Sequence, residues 1–195
     1  MTSTVSNLRS DNRRQKILDS AAEILVRVGY RGASMRDIAK SSGMLPGSIY
    51  YHFASKEALL VAVFELGVQC IRECVNNALE SAKPDPWVQL RVACEVHLDM
   101  LLGGGSKFSQ VAVRVLPSDV LGAEAALVML RDKYETRFRD LVDALPLKPE
   151  TDRGIFRLML LGAMNHTPVW FRSNGVTAKE LAYQFIKNLQ SAQSS

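Results

Sequence analysis

The strongest constraint on the fold is the spacing of the apolar residues, which recur at three- and four-residue steps along most of the chain. This spacing puts apolar side chains on one face of an α-helix. No segment shows the residue-by-residue alternation that is typical of a half-buried β-strand. The sequence therefore predicts an all-α protein. The apolar face of its first helix, between Arg13 and Val28, consists of Ile17, Leu18, Ala21, Ile24, Leu25 and Val28.

Glycine, proline and capping residues divide the chain into nine predicted helices. Gly29 ends the first helix and Gly43 ends the second, while the run Gly103-Gly104-Gly105 predicts a flexible corner after the fifth. A Thr-x-x-Glu capping box at Thr177 starts the last helix. The predicted helices cover about residues 13–28, 34–43, 46–53, 55–82, 87–102, 107–115, 117–145, 150–172 and 177 onwards.

Basic residues are concentrated near the amino terminus. Residues 1–56 contain nine Lys and Arg against four Asp and Glu, a net charge of +5, whereas the remainder contains fifteen against sixteen, a net charge of −1. Because Lys and Arg neutralise phosphates, this asymmetry indicates a nucleic-acid-binding module joined to a part with another task. A merely solvated basic face is the alternative. We expect a disordered arm over 1–12, a DNA-binding domain over 13–56 and a second domain over 57–195.

Composition and apolar run lengths narrow the class of protein further. The longest apolar run, Leu158 to Met164, is far shorter than the about 18–20 residues of a membrane span, and the amino terminus has no apolar core like that of a signal peptide. The three cysteines are too few for a secreted disulfide scaffold. We therefore expect a soluble protein of the reducing cytoplasm that does not enter a membrane.

The second and third predicted helices have the layout of a helix-turn-helix. That motif needs a small residue in its first helix, a glycine at the turn and an apolar residue in its second helix, and the chain supplies Ala39, Gly43 and Ile49. Two helices of an unspecialised bundle also fit this spacing. The polar-tipped run from Tyr50 to His52 favours the motif, because such side chains have little use in a core.

The segment from Ile17 to Leu59 carries a more specific pattern. It contains Gly-Tyr after the first helix, Asp-Ile-Ala in the second, and Tyr-Tyr-His-Phe-x-x-Lys-Glu-x-Leu beyond the turn. In these features it resembles the DNA-binding domain of the TetR family of bacterial transcriptional repressors. The resemblance implies a nine-helix TetR-like fold, in which a helix-turn-helix is joined to a helical ligand-binding and dimerisation domain.

The resemblance also implies which residues meet double-stranded DNA. Pro46, Gly47 and Ser48 would face base edges in the major groove, although Leu45 lacks the hydroxyl that is common at its position. Phe53 would pack between the DNA-binding part and the remainder. The implied phosphate contacts are Ser34, Arg36, Tyr50, Tyr51, His52 and Lys56.

For the remainder of the chain, the resemblance implies a small-molecule pocket within helices four to seven and a homodimer formed through the last two helices. Polar side chains among methionines and aromatic residues would orient a ligand in such a pocket, whereas a satisfied core is the alternative for any one of them. The candidate ligand-binding residues are Phe64, Val68, Cys94, His97, Met100, Phe108, Tyr134, Met164, Asn165, His166 and Trp170.

Two short segments suggest a class of effector. The stretch LLGAMNHTPVWFR, from Leu160 to Arg172, together with MLPGSIYYHF resembles the TetR-type repressors that respond to acyl-CoA thioesters. The resemblance implies a repressor that binds an inverted-repeat operator and releases it when a hydrophobic effector binds. A free hydrophobic drug is the alternative effector.

The cysteines leave other functions open. Cys70 and Cys74 lie one turn apart on a predicted helix, and Cys94 and His97 lie one turn apart on the next. The four side chains could sense a metal or a redox signal. Alternatively, Cys94 and His97 could be the catalytic residues of a small helical enzyme. Buried cysteines that fill a helix seam are the plainer interpretation. Because no nucleophile, base and orienting group share a recognisable arrangement, we expect no enzyme, resident cofactor or metal site.

Overall fold

In the computed structural model the backbone is described for residues 2–172 and 174–194, and side chains for residues 11–103, 105–172 and 174–193. This part of the chain contains no β-strand, which confirms the predicted all-α fold, and none of its helices is long and apolar enough to cross a bilayer. Its α-helices are α1 (Thr2–Gly32), α2 (Met35–Ser41), α3 (Lys56–Glu80), α4 (Pro86–Asp99), α5 (Lys107–Arg114), α6 (Glu124–Asp143), α7 (Arg153–Asn165), α8 (Thr167–Trp170) and α9 (Ala178–Ser194).

The chain divides into two compact units, and helices α3 and α6 contribute residues to both. The first unit comprises Met1–Gly67 and Lys107–Leu130, and the second comprises Val68–Ser106 and Arg131–Ser195. The first unit is larger than the segment 13–56 because α5 packs against α1. The functional boundary after residue 56 stays a prediction.

Helix α1 provides the core of the first unit. All of its predicted apolar face is buried except Val28, which is 47% exposed. Gly29 has a φ of 71°, so the regular helix ends there as predicted and only one further turn follows. The backbone of residues 2–12 continues α1, and the disordered arm over 1–12 stays a prediction. Of the side chains that the structure describes at this end, those of residues 11–16 are exposed.

The helix-turn-helix is shorter than predicted. Ser34 caps α2 by accepting the Asp37 N–H at 3.1 Å, and Gly43 takes a φ of 72° at the turn. Beyond the turn, however, Ser48–Tyr51 forms a single 3-10 turn rather than an α-helix over 46–53. Its hydrogen bonds run from the Ser48 N–H to the Leu45 carbonyl and from the His52 N–H to the Ile49 carbonyl, both of which span three residues.

In the second unit, α4 packs against α9 and α7. A π-helical turn, Met100–Gly104, extends α4 and contains Gly103 with a φ of 117°, at the corner that the glycine run predicts. Thr177 and Glu180 form the predicted capping box of α9, in which the Thr177 N–H donates to the Glu180 carboxylate at 2.7 Å. The glycine corner and the capping box therefore both lie where the sequence predicts them.

The predicted helix over 150–172 is interrupted. It divides into α7 and α8 at His166, since Pro168 has no N–H to donate to the Met164 carbonyl. The Thr167 hydroxyl donates to that carbonyl instead, at 2.7 Å. The proline thus turns the chain while the buried carbonyl stays paired.

Gly67 marks a close crossing of α3 and α5 within the first unit. A Cβ at this position would lie 2.8 Å from the Cβ of Ala112 and closer still to the backbone carbonyl of Phe108. We therefore expect Gly67→Ala to lower the free energy of unfolding by about 2 kcal/mol, as overpacking of a well-packed contact does. Urea titration of the purified protein measures this loss.

The matched control is Glu65→Ala, which places alanine on the exposed face of the same helix. It should change stability little, since alanine favours the helix and no packed contact is disturbed. Equal stability of Gly67→Ala and the wild type would contradict the close crossing.

Candidate functional site

Residues of the helix-turn-helix form a solvent-facing surface, which we call the recognition surface and define as Ser34, Arg36, residues 46–48 and residues 50–52. Arg36, Pro46, Gly47 and Tyr50 are exposed, and Tyr51 is 94% exposed. Ser34, Ser48 and His52 are half-buried. The structure thus presents most of the predicted DNA contacts to solvent, while their roles toward DNA stay predictions.

Buried residues hold this surface in place. Ala39 and Ile49 are fully buried, as the helix-turn-helix spacing predicts, and the 3-10 turn packs on α2. The Ser34 hydroxyl, which caps α2, also donates to the Asp37 carboxylate at 2.6 Å. Exposed phenols and an arginine on so fixed a backbone suit hydrogen bonding to phosphate oxygens.

Lys56, like Ser34, is a predicted DNA contact that has partners within the protein. Its Nζ donates to the Ala33 carbonyl at 2.8 Å and lies 4.2 Å from the centre of the Tyr30 ring. The Tyr30 hydroxyl donates in turn to the Glu57 carboxylate. Burial and this hydrogen bond raise the pKa of Tyr30 to about 12, and the same bond lowers the pKa of Glu57. The sequence motif contains Tyr30 and Glu57, but it did not reveal their pairing.

Phe53 is buried in the first unit, and the guanidinium of Arg14 lies 5.1 Å from its ring centre. This contact has the geometry of a cation–π interaction. Arg14 therefore has a packing role within the unit.

A second candidate site lies in the second unit, where α4, α6 and α7 each contribute one polar side chain. The Tyr134 hydroxyl lies 2.6 Å from Nδ1 of His97, and Nε2 of His97 lies 2.8 Å from Oδ1 of Asn165. We call these three residues the polar trio. Because Oδ1 of Asn165 can only accept, Nε2 carries the ring proton, and Nδ1 accepts from the Tyr134 hydroxyl.

The polar trio is neutral. Burial lowers the pKa of His97 to about 4, and burial raises the pKa of Tyr134 well above its ordinary value. Neither group is therefore charged near neutral pH. The site offers hydrogen bonds without formal charge.

His97 and Tyr134 are buried among apolar side chains, whereas Asn165 is exposed. Phe138 presents its ring edge-on to both His97 and Tyr134, at centroid distances of 5.7 and 5.5 Å. Cys94 and Met164 neighbour the trio in sequence and are fully buried, whereas Met100 is half-buried. Phe138 is fully buried and lies one helical turn after Tyr134.

The remaining predicted ligand residues are more scattered. His166 and Trp170 are exposed, at the junction and end of the short α8. Val68 is buried in the second unit, while Phe64 is buried and Phe108 half-buried in the first. Six of the eleven, Cys94, His97, Met100, Tyr134, Met164 and Asn165, thus lie at or beside the trio in the second unit.

The cysteines do not form the site that their spacing allowed. Cys74 is exposed, Cys70 half-buried and Cys94 fully buried. Burial raises the pKa of the Cys94 thiol, which opposes the thiolate that an enzyme or a redox sensor needs. Within the described side chains, no three His, Cys, Asp or Glu residues are close enough to hold a metal ion.

Helix α7 has an unusual apolar exposed face. Ile155, Leu158 and Met159 are each more than half exposed, and Gly162 follows them on the same side of the helix. We call these four residues the α7 stripe. The sequence does not reveal this exposed face, because periodicity alone does not distinguish the buried face of an apolar helix from an exposed one.

A cleft of about 200 Å³ opens between α4 and α9. Trp87 and Tyr183 line it together with two cations, and none of these residues is among the predicted ligand contacts. Arg91 pairs with Glu95, and Lys187 lies 5.9 Å from the ring centre of Tyr183, so both cations have partners.

Two family models match the chain. The model of bacterial regulatory proteins of the tetR family matches residues 17–63, and the tetracyclin repressor-like C-terminal domain matches residues 83–191. The second match alone covers more than half of the chain.

Individual relatives agree with these matches. The transcriptional regulator UidR of Escherichia coli K12 is 48% identical over 50 residues, which are 26% of this chain and 26% of UidR, so the chain spans about a quarter of that relative. The structure of AibR in complex with isovaleryl coenzyme A and operator DNA has a TM-score of 0.77 at 23% identity, covering 90% of this chain and 97% of AibR. FadR from Bacillus subtilis, in complex with stearoyl-CoA, has a TM-score of 0.75 at 20% identity, covering 90% and 96%.

At 23% and 20% identity, the two structures establish only the fold. The family models establish which family the chain belongs to. UidR is named as a transcriptional regulator and not as an enzyme, which agrees with the expectation from the sequence. The chain belongs to the TetR family of DNA-binding transcriptional regulators.

Proposed function

We propose that this regulator is a repressor that binds an inverted-repeat operator as a homodimer and releases it when a hydrophobic effector reaches the polar trio. The observation that carries the effector part is the trio itself, a neutral hydrogen-bonded chain that runs from the buried Tyr134 and His97 to the exposed Asn165. Such a chain suits a ligand that is largely apolar and carries a few hydrogen-bonding groups.

On the DNA side, we propose that the exposed recognition surface enters the major groove. Pro46, Gly47 and Ser48 would contact base edges, and Ser34, Arg36, Tyr50, Tyr51 and His52 would contact phosphates. The exposure of Tyr50, Tyr51 and Arg36 supports this assignment. Operator DNA lies in the bacterial cytoplasm, where we propose the protein acts.

The dimer is proposed to form through α7 and α9, with the α7 stripe at its centre. Three large apolar side chains exposed on one helix face indicate a surface that another protein covers. Gly162 on the same face permits close approach of a second helix. A two-fold dimer would present two recognition surfaces, which predicts an operator with two inverted half-sites.

We propose an acyl-CoA as the effector. The fold is shared with AibR and FadR, whose structures contain isovaleryl coenzyme A and stearoyl-CoA. Asn165 and His166 would hydrogen-bond the polar part of such a ligand, while Cys94, Met100, Met164 and Trp170 would contact its apolar part. A free hydrophobic compound is the second candidate, because the trio is neutral and needs no anionic group.

Helix α3 offers a physical route for the response. It is one continuous helix with residues in both units, so an effector that shifts its second half would also shift its first turn. A tenfold release of operator requires that the effector favour the released state by about 1.4 kcal/mol.

The dimer proposal predicts that Leu158→Glu weakens self-association at least about tenfold, because a carboxylate in a dry interface loses its hydration. Leu121→Glu is the matched control, since Leu121 is 87% exposed and lies outside the α7 stripe. Analytical ultracentrifugation over a range of protein concentrations measures both. Equal association of the two variants would remove α7 from the interface.

The effector proposal predicts that acyl-CoA thioesters release operator from the preformed complex, and that Tyr134→Phe requires about tenfold more of them because it removes a donor of the trio. Tyr183→Phe, which alters an exposed tyrosine, should respond like the wild type. Fluorescence anisotropy of labelled operator, titrated with isovaleryl-CoA, stearoyl-CoA, both free acids and an unrelated hydrophobe, reads the release. Release by free acids or the hydrophobe alone would disprove the thioester, and release by no compound would disprove the effector site.

The neutral state of His97 predicts a loss of stability in mild acid. The unfolded histidine gains a proton below its ordinary pKa of 6.5, whereas the folded one gains it only near pH 4. Stability should therefore fall as the pH drops from 7, by about 2 kcal/mol at pH 5. Urea titrations of the wild type and of His97→Gln at pH 7 and pH 5 measure how much of the loss in unfolding free energy is due to His97.

His166→Gln, which removes an exposed histidine, is the control and should keep the wild-type pH dependence. If His97→Gln kept it as well, His97 would not be the buried neutral group described here.

A further inference from the structure

The first turn of α3 is joined to the end of α1 by three side-chain contacts. The Lys56 ammonium donates to the Ala33 carbonyl at 2.8 Å and lies over the Tyr30 ring at 4.2 Å. The adjacent Glu57 accepts from the Tyr30 hydroxyl. We call Tyr30, Lys56 and Glu57 the α3 clamp.

The clamp acts at a sensitive point of the chain. Ala33 is buried and directly precedes Ser34, the residue that caps α2, and its own N–H donates to the Gly29 carbonyl at 3.2 Å. Only two residues connect α1 to α2. A contact that fixes the Ala33 carbonyl therefore also fixes where α2 begins.

The position of α2 matters for DNA because the 3-10 turn that carries Ser48 and Tyr50 packs on α2. Base contacts depend on placement, and a displaced recognition surface loses several of them together. The clamp is consequently connected to the DNA contacts through the backbone, without itself having to touch DNA.

The surroundings of Lys56 also reduce its value as a phosphate ligand. A carbonyl oxygen and an aromatic face already engage its ammonium group, and the carboxylate of Glu57 follows it in the chain. Arg36, in contrast, is exposed and stands on the recognition surface itself.

We propose that Lys56 is a positioning residue, which together with Tyr30 and Glu57 sets the placement of α2 and the recognition surface relative to α3, and does not bind a DNA phosphate. This rests on DNA binding by the recognition surface, as proposed above. In this proposal the α3 clamp is the contact through which the position of α3 affects operator affinity.

Salt dependence distinguishes the two roles of a lysine. Each phosphate contact that is lost lowers the slope of log affinity against log salt concentration by about one, whereas loss of placement lowers affinity at every salt concentration with little change of slope. The full-length protein and three variants would be compared on the duplex that the wild type selects from a random-sequence library. Arg36→Met serves as the reference for a lost phosphate contact.

We expect Lys56→Met to bind this duplex about tenfold more weakly, with the wild-type salt slope, because it keeps the aliphatic stem and loses the bond to Ala33. Tyr30→Phe should also bind more weakly with the wild-type slope, since it keeps the ring and loses only the bond to Glu57. Arg36→Met should instead lower the slope by about one for each subunit.

A reduced slope for Lys56→Met would overturn the proposal in favour of a phosphate contact. Circular dichroism and urea titration give the folded fraction of each variant, and the affinity is calculated for the folded protein only. If Lys56→Met and Tyr30→Phe then both bind DNA with wild-type affinity, the proposal is overturned in favour of a purely structural role. If Lys56→Met does not fold, Tyr30→Phe decides alone, because a weaker affinity at constant slope supports the clamp and an unchanged affinity refutes it. The wild type and Arg36→Met report separately on whether the recognition surface binds DNA.

Discussion

Helix α3 is the element on which the rest of the structure depends. In its first turn, Lys56 contacts the Ala33 carbonyl and the Tyr30 ring. In its middle, Gly67 packs so closely against α5 that a Cβ would not fit. From Val68 onward the helix belongs to the second unit. Because backbone hydrogen bonds run along the whole helix, a displacement at one end carries to the other more readily than through a loop. We propose that this helix connects the DNA-binding part with the part that binds the effector.

Buried polar groups impose the second constraint. His97 is enclosed by apolar side chains, and its burial is tolerable only because Tyr134 and Asn165 pair both ring nitrogens. Such a chain has one consistent direction of donation, from the Tyr134 hydroxyl to His97 and from His97 to Asn165. We propose that an effector at this site hydrogen-bonds to an end of the chain, so that ligand binding would affect the packing of α4, α6 and α7.

The sequence predicts the helical fold and the turn glycines well, because apolar periodicity and positive φ angles are local properties. It predicts the helix-turn-helix through Ala39, Gly43 and Ile49 for the same reason. It misses the 3-10 form of Ser48–Tyr51, since periodicity does not distinguish a three-residue from a four-residue hydrogen bond. It names the members of the polar trio but not their pairing, which joins residues 37 and 68 positions apart. The partners of Lys56 were missed because a motif records residue types and not contacts.

We propose that effector binding and operator binding are coupled in this protein. Coupling of this kind is reciprocal, so a ligand that weakens operator binding by some factor must itself bind the operator complex more weakly by the same factor. The most direct test is calorimetric titration of the active acyl-CoA into the free dimer and into the dimer saturated with its operator duplex. We predict that operator lowers the affinity for the thioester by the factor by which the thioester lowers the affinity for operator. Equal thioester affinity with and without operator would contradict the account.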